Sequence, residues 1–420
     1  MALIVQKYGG SSVANPERIR EVAKRVVKTR QAGHQVVVIV SALGDSTDNL
    51  LELASQVSRS PSDREKDMLL ATGEQVSAAL LAMAIQALRM KAVSYTGAQV
   101  GIVTDREHTR ARIQDISAQR IHKKLAQGWV VIITGFQGIT PDGEITTLGR
   151  GGSDLTAVAV ANALKAKVCE IYTDVEGVYT ADPRIVSNAR KLPAISYDEM
   201  LELASLGAQV MQARSMEMAK KYEVPLHVRS SFSRRTGTII SKEVKSMEQI
   251  VVSGVSLQKD EAKITICDVP DKPGIAATIF TRISDANINV DMIVQNVSRT
   301  GMTDVSFTVG RGDLPKVLRV SRRVAKEVKA GRVTHDSGVA KVSVVGLGMR
   351  SHSGIAAKMF QALAKESINI DMISTSEIKI SCIIRKDQAV KAVKTLHDAF
   401  ELDKLGVKPQ QVKVPKAKRK

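Results

Sequence analysis

Cysteine is scarce and scattered in this chain. Its three cysteines, Cys169, Cys267 and Cys382, stand far apart among apolar, strand-forming residues, which reads as buried reduced thiols and excludes a disulfide framework. The seven histidines form no His-x-x-x-His or Cys/His cluster, so no structural zinc is expected and no residue is assigned to a metal. Aromatic residues make up 3% of the chain, too few to supply the stacking platforms that nucleic-acid recognition uses. No run approaches ~18 uninterrupted apolar residues. The opening Met-Ala-Leu-Ile-Val-Gln-Lys lacks a basic segment followed by a long apolar one, so neither membrane insertion nor export is indicated. A cytoplasmic location is the expectation.

What is abundant is positive charge. Sixty-one Lys and Arg against 43 Asp and Glu give a formal charge of +18. The cations are spread along helix-like segments, which is the pattern of solvated faces rather than of a nucleic-acid footprint. The exception is the stretch from Lys408 onward, whose residues 413–420 are set apart as a basic tail. With 420 residues, 44% of them hydrophobic, the chain can build about two to four domains.

Two glycine turns follow apolar strand patterns. Lys7-Tyr8-Gly9-Gly10-Ser11-Ser12 comes after Leu3 to Val5, and Thr147-Leu-Gly-Arg-Gly-Gly-Ser-Asp154 runs into the helix-like stretch Leu155 to Ala163. Neither is a Walker A loop or a Gly-x-Gly-x-x-Gly fingerprint with a suitably spaced acid, so the commonest nucleotide folds fit poorly. Such turns nevertheless present backbone N–H groups and a positive helix end to phosphate. Two of them suggest a polyphosphate held from both sides.

Over the first 240 residues, short β-branched runs (Val36 to Val40, Val130 to Thr134, Val168 to Thr173) alternate with longer segments of helical period, which predicts an α/β domain with a mostly parallel sheet. Ligands bind such sheets beyond the carboxyl ends of the strands. There the polar punctuation gathers: Lys7 to Ser12, Ser41 to Thr47, Gly135 to Gly138, and Thr173-Asp174. After Ser241 the chain repeats itself: DKPGIAATIFTRISDANINVDMI at 271–293 matches SHSGIAAKMFQALAKESINIDMI at 351–373, with Gly274 on Gly354, Asn289 on Asn369 and Asp291 on Asp371. Each copy reads as strand, glycine turn, amphipathic helix and strand, a small α+β unit with exposed sheet edges.

Together, Lys7 to Ser12, Gly149 to Asp154, the block Tyr172-Thr-Asp-Val-Glu-Gly-Val-Tyr-Thr-Ala-Asp-Pro-Arg184 and the paired repeats resemble the aspartate kinases of the single-function bacterial type. The resemblance implies an amino-acid-kinase fold over 1–245, ACT domains over 263–338 and 341–412, and transfer of the γ-phosphoryl group of ATP, carried with Mg2+, to the side-chain carboxylate of L-aspartate. That carboxylate, with a pKa near ~3.9, is ionised at neutral pH and needs no general base. Catalysis then rests on positioning and charge neutralisation.

On the same resemblance Lys7 is the first catalytic candidate, reaching the transferring group, and Asp154 either orients it or holds magnesium. Gly9, Gly10, Gly151 and Gly152 would let backbone amides approach phosphate. Lys7, Tyr8, Thr173, Asp174, Tyr179, Arg184 and Gln209 complete the ATP side, Gln209 standing where the family usually has lysine. Ser41, Thr47, Glu74, Arg150 and Ser153 would hold aspartate, with Arg150 on its α-carboxylate and Glu74 on its ammonium. Asp271, Gly274, Asn289, Asp291, Gln295, Asn369, Ile370 and Asp371 would bind an effector, lysine and/or threonine. In the second copy Ser353 replaces the proline before the glycine. A homodimer through the ACT edges is expected, and Met247 could start a separately made regulatory subunit. Two alternatives stay open: another enzyme of the same fold, of acetylglutamate or uridylate kinase type, or a non-catalytic amino-acid sensor that binds nucleic acid.

Overall fold

The computed structural model describes residues 1–205, 211–242, 251–296, 301–350 and 352–404. Gln209, Met247 and the basic tail lie outside the described residues. In chain order the first half runs β1 (Leu3–Tyr8), α1 (Pro16–Gln31), β2 (Gln35–Val40), α2 (Ser46–Val57), α3 (Asp63–Ala87), β3 (Ala92–Tyr95), β4 (Ile102–Thr104), β5 (Ile113–Ile116), α4 (Gln119–Ala126), β6 (Val130–Thr134), β7 (Gln137–Ile139), β8 (Ile145–Thr147), α5 (Gly152–Ala163), β9 (Val168–Thr173), β10 (Ala194–Ser196), α6 (Tyr197–Ser205), α7 (Ala213–Lys221), β11 (Leu226–Ser230) and β12 (Thr238–Ser241). Helix starts follow local chemistry: Asn15 accepts from Arg18 N at 3.0 Å with Pro16 next to it, and Ser62 accepts from Glu65 N, each satisfying an otherwise orphaned amide.

Eight strands form one sheet in the order β10-β12-β11-β9-β1-β2-β6-β3, parallel except where β11 meets β12. Both faces are covered, so β2 and β6 are apolar but for their end residues, whereas β1 and β9 carry Gln6, Lys7 and Glu170 and must partner them. On one face Val5, Val37, Ile39, Val131 and Ile133 pack with residues of α4, α5 and α7; on the other Val36, Val38, Val40 and Ile132 pack with α1 and α3. A second sheet, β5-β4-β7-β8, supports loops at the edge of the first. By length and composition α3 could span a bilayer, but half of that stretch is packed inside the protein.

The second half runs β13 (Gly254–Pro270), α8 (Ile275–Asp285), β14 (Val290–Gln295), β15 (Met302–Gly310), α9 (Leu314–Glu327), β16 (Val333–Val345), α10 (Ile355–Lys365), β17 (Met372–Thr375), β18 (Lys379–Arg385) and α11 (Ala389–Ala399). The duplicated units share one sheet, β14-β15-β13-β16-β18-β17. The long strands β13 and β16 serve both: Gly254 to Gln258 pairs with Lys341 to Val345 in the second unit, and Lys263 to Ile266 pairs with Val333 to Asp336 in the first. Residues 254–258, outside both repeats as read from sequence, thus complete the second unit. The repeat extends to geometry, since Gly274 and Gly354 open α8 and α10 with φ of +92° and +90°.

The helix-free faces of the two units meet. Met292, Val339, Met372 and Ile383 cluster there, and the repeats exchange ion pairs: Lys341 with Asp291, and Lys263 with Asp371 at 3.4 Å. Glu261 lies 3.5 Å from Lys341. Burial lifts its carboxyl to about 7, against the pull of Lys341 and with the push of Asp291.

The halves of the chain are tied directly. Val255 N donates to Thr180 O at 2.7 Å, and the Thr180 hydroxyl lies 3.0 Å from His397 Nε2 on α11. Buried Glu199 on α6 accepts from Ser253 Oγ and Leu347 N, while Glu202 pairs with Lys379 at 2.7 Å.

Candidate active site

Lys7 is the seventh residue of the chain but not part of a loop. It lies within β1, paired in register with Ile39 on one side and Ile171 on the other, so the first glycine turn starts two residues later than its sequence suggests. A lysine in a strand this buried needs a partner. Its Nζ reaches Asp154 Oδ1 at 2.6 Å, with both side chains 11% exposed. Asp154 sits in the first turn of α5, where the helix dipole also favours its negative charge. One ion pair therefore joins the end of β1 to the start of the helix after the second glycine turn.

The turns are tighter than a phosphate cradle alone requires. A Cβ built on Gly10 would lie 2.9 Å from Gly44 O, and one on Gly151, whose φ is +72°, would fall 1.8 Å from Gln212 Cγ. The protein's own chain demands glycine at both positions. Gly9 fits the cradle reading better, since its Cβ would face Lys7 Nζ at 3.5 Å. Gly152 begins α5 and is buried.

The residues expected to hold aspartate gather around α3 and the carboxyl edge. Ser41 N continues the β1–β2 pairing by donating to Tyr8 O, and Ser77 Oγ donates to Ser41 O at 2.7 Å. Glu74 Oε1 accepts from Ala42 N at 3.1 Å, whereas its buried Oε2 has no partner. Desolvation lifts this carboxyl to about 7, only partly offset by backbone hydrogen bonds. Thr47 is half-buried in α2, and Ser153 is buried beside Gly135. Arg150 is exposed and has no acidic partner among the described residues. An unpaired guanidinium and a buried, half-satisfied carboxylate are complementary to the two charged ends of an amino acid.

Two supports were not evident from sequence. Asp67, wholly buried on α3, accepts from Thr109 N, Thr147 Oγ1 at 2.5 Å and His108 Nδ1 at 2.8 Å. Arg214 of α7 donates to Leu148 O and Ala111 O. Together they fix the segment that carries Arg150. The only trace in sequence is that Asp67 and Glu74, two turns apart, break the apolar face of one helix.

On the nucleotide side, Gly9 N donates to Tyr172 O, bringing the first turn against the end of β9. Thr173 and Asp174 follow, with Thr173 Oγ1 donating to Asp174 at 2.9 Å. Tyr179 is half-buried, its phenol pushed up by burial and by Glu176. Arg184 is gripped by Asp182 at 2.8 Å, its side chain 81% exposed. The expectation for Tyr8 changes: its ring is fully buried, stacked at 4.7 Å on Tyr172, so its side chain is occupied in the core. It belongs to a network missed in the sequence, in which Glu170 accepts from Gln6, Tyr172 and Arg229. Cys169 and Cys382 are buried as expected, but Cys267 is only half-buried; all three are free thiols.

In the first repeat a cavity of about 340 Å3 is lined by Val269 to Ala276 together with Gln295 and Val305. It brings together Asp271, Gly274 and Gln295. Asp291 and Asp371 are instead engaged by Lys341 and Lys263 across the junction; Asn289 and Asn369 are exposed, and Ile370 packs in the core of the second unit.

Comparison with known proteins gives three matching families: the amino acid kinase family over residues 2–230 and ACT domains over 263–324 and 342–400. The chain is 55% identical over 406 residues to the aspartate kinase of Pseudomonas fluorescens (strain SBW25), covering 96% of this chain and 98% of that protein. It is 51% identical to the aspartokinase of Mycolicibacterium smegmatis, covering 96% and 97%. Among solved structures it resembles Escherichia coli aspartokinase III in complex with aspartate and ADP, with a TM-score of 0.80 and 25% identity over 94% of this chain and 99% of that one. The lysine and aspartate complex of the same enzyme matches with a TM-score of 0.75 and 26% identity, covering 95% and 99%.

Proposed function

The chain belongs to the aspartate kinase family, and from that premise we propose how its residues phosphorylate the side-chain carboxylate of L-aspartate. The reading rests on the Lys7–Asp154 pair at 2.6 Å, because it sets a cation between both glycine turns, where charge spreads over the transferring phosphoryl group. ATP lies with its phosphates along Gly9, Gly10 and the start of α5, and its base and ribose along Thr173 to Arg184. Arg150 receives the α-carboxylate of aspartate and Glu74 its ammonium. The ionised β-carboxylate is then the nucleophile, and no side chain needs to remove a proton. Lys7 neutralises the transition state and Asp154 aims Lys7.

Among the described residues no three acidic, histidine or cysteine side chains converge to hold a metal, so magnesium comes with the phosphates and Asp154 is the acid in reach of it. Bound there, it would supply further neutralisation of the phosphate charge. A substrate panel tests the assignment. L-Aspartate should give product, while N-acetylglutamate and uridine monophosphate should not; turnover of either in place of aspartate would move the chain to another branch of the fold.

Regulation follows from the second half. The E. coli relative is known with lysine bound, and the cavity at Asp271, Gly274 and Gln295 has the size and polar groups for an amino acid, so lysine and/or threonine bind there in this reading. The contacts of Thr180 and Glu199 with the ACT units give such binding a route to the nucleotide segment. The outer strands β14 and β17 expose Ile293 and Ile373 at equivalent places, which suits dimerisation through ACT edges. The enzyme works in the cytoplasm, with the aspartate and ATP it consumes.

A further inference from the structure

Arg25 on α1 is half-buried, yet it makes no ion pair among the described residues. Its guanidinium is spent on one turn instead: Nη1 donates to Ser230 O at 3.0 Å, and Nη2 donates to Ser231 O at 3.0 Å and Ser233 O at 3.4 Å. The same group lies 4.7 Å from the centre of the Tyr172 ring, a further hold on its orientation. The carbonyls belong to the turn from β11 to β12, and β11 runs parallel to β9 and ends at the same carboxyl edge. Three carbonyl dipoles converging on one point repel one another unless a cation sits there, and a planar guanidinium with five donors can meet all three.

The turn in its place touches both sides of the proposed nucleotide site. Ser231 Oγ lies 2.5 Å from Ser12 Oγ, at the end of the first glycine turn, and Ser231 N donates to Thr173 O at 2.8 Å. Further along, Arg235 pairs with Glu176 at 3.4 Å, and Thr238 Oγ1 accepts from Val178 N at 2.9 Å. Residues 231–238 therefore run beside Thr173 to Tyr179 and hold that segment at several points. We propose that Arg25 is a positioning residue for ATP: by fixing the β11–β12 turn it sets the spacing between the first glycine turn and the segment from Thr173. The inference rests on the placement of ATP given above. Arg25 acts through Ser231, its own donors being already engaged by the three carbonyls. Aspartate is held from α3 and the Arg150 segment, which the hydrogen bonds of this turn do not reach, so the effect belongs to the nucleotide alone.

The test pairs ADP binding, followed by calorimetry, with initial rates of the full-length protein. Arg25→Ala should weaken ADP binding and raise KM for ATP about 10-fold, the worth of hydrogen bonds from a charged group, and leave KM for aspartate unchanged. Arg25→Lys keeps the charge but loses the fork, so it should recover only part of the loss. Guanidinium ion at millimolar concentration, far below denaturing levels, should restore ADP binding to Arg25→Ala while leaving the wild type unchanged. Arg20→Gln, exposed on the same helix, should alter nothing. Ser231→Ala cuts the link to Ser12 but leaves the main-chain carbonyls in place, and should weaken ADP in the same direction by a smaller factor, which keeps the inference testable if Arg25→Ala does not fold. Lower thermal stability with ADP affinity intact in Arg25→Ala overturns the proposal, as does full recovery by Arg25→Lys, which would leave charge alone as the cause. Failure of the wild type to bind ADP would defeat the placement of ATP itself, and the inference with it.

Discussion

Replacing Glu74 by glutamine should weaken aspartate binding and stabilise the protein at the same time. Glu74 is 3% exposed, and burial lifts its carboxyl from 4.5 to about 7. Between those values the native state holds a proton that the unfolded chain releases, so stability falls as pH rises through this window. The gap corresponds to about 3 kcal/mol at pH 8, a burden Glu74→Gln removes. The amide places an NH2 and the protonated acid an O–H at the position of Oε2, both uncharged donors, so near pH 4.5 wild type and variant should melt at similar temperatures, whereas at pH 8 the variant should melt several degrees higher. Aspartate binding runs the other way, since only the carboxylate attracts an ammonium. With a midpoint near 7, about a tenth of the enzyme carries the charge at pH 6 and about nine-tenths at pH 8, so KM for aspartate should fall roughly 10-fold between them. Glu74→Gln should raise KM about 10- to 100-fold at pH 8, the worth of a charged hydrogen bond, and abolish its pH dependence while leaving KM for ATP alone. Initial rates across pH, paired with thermal melts, decide it. A flat wild-type KM, or a variant that binds aspartate normally, refutes the reasoning.

Other substitutions separate chemistry from structure. Asp154→Asn should lower kcat by about 10²- to 10³-fold through the loss of Lys7's orientation, with a smaller effect on KM for aspartate. Gly151→Ala should give an inactive enzyme, because its Cβ would strike Gln212 and its φ is +72°; a crystal structure or NMR spectrum should show the start of α5 displaced. Glu199→Ala strands the Ser196, Ser253 and Leu347 donors and should cost about 3 kcal/mol in denaturant melts. The same change should reduce inhibition by any amino acid that acts through the ACT units, measured as a rise in the inhibitory concentration.

Local patterns were readable where they answered to local physics. Val130 to Thr134 and Val168 to Thr173 are strands with the expected limits, because strands of a sheet buried on both faces are rich in β-branched and aromatic residues. The 80-residue repeat gave two units whose helices start at equivalent left-handed glycines. By sequence Lys7 reads as part of the glycine loop, since a lysine interrupts the apolar strand pattern. Only Asp154, 147 residues away in sequence, makes it tolerable inside β1. Asp67, Glu170 and Arg214 were silent for the same reason, since their partners lie on other elements. The sharing of β13 and β16 between the ACT units was also invisible. A strand of 17 residues that changes partner midway shows no break in composition.

The central claim is tested most directly by ATP- and magnesium-dependent formation of aspartyl phosphate, trapped as the hydroxamate, with wild type beside Lys7→Ala and with lysine and threonine added singly and together. The account predicts product from wild type, at least a 100-fold loss with Lys7→Ala, and suppression of the wild-type rate by one of the amino acids or the pair. Undiminished product from Lys7→Ala would contradict the catalytic assignment.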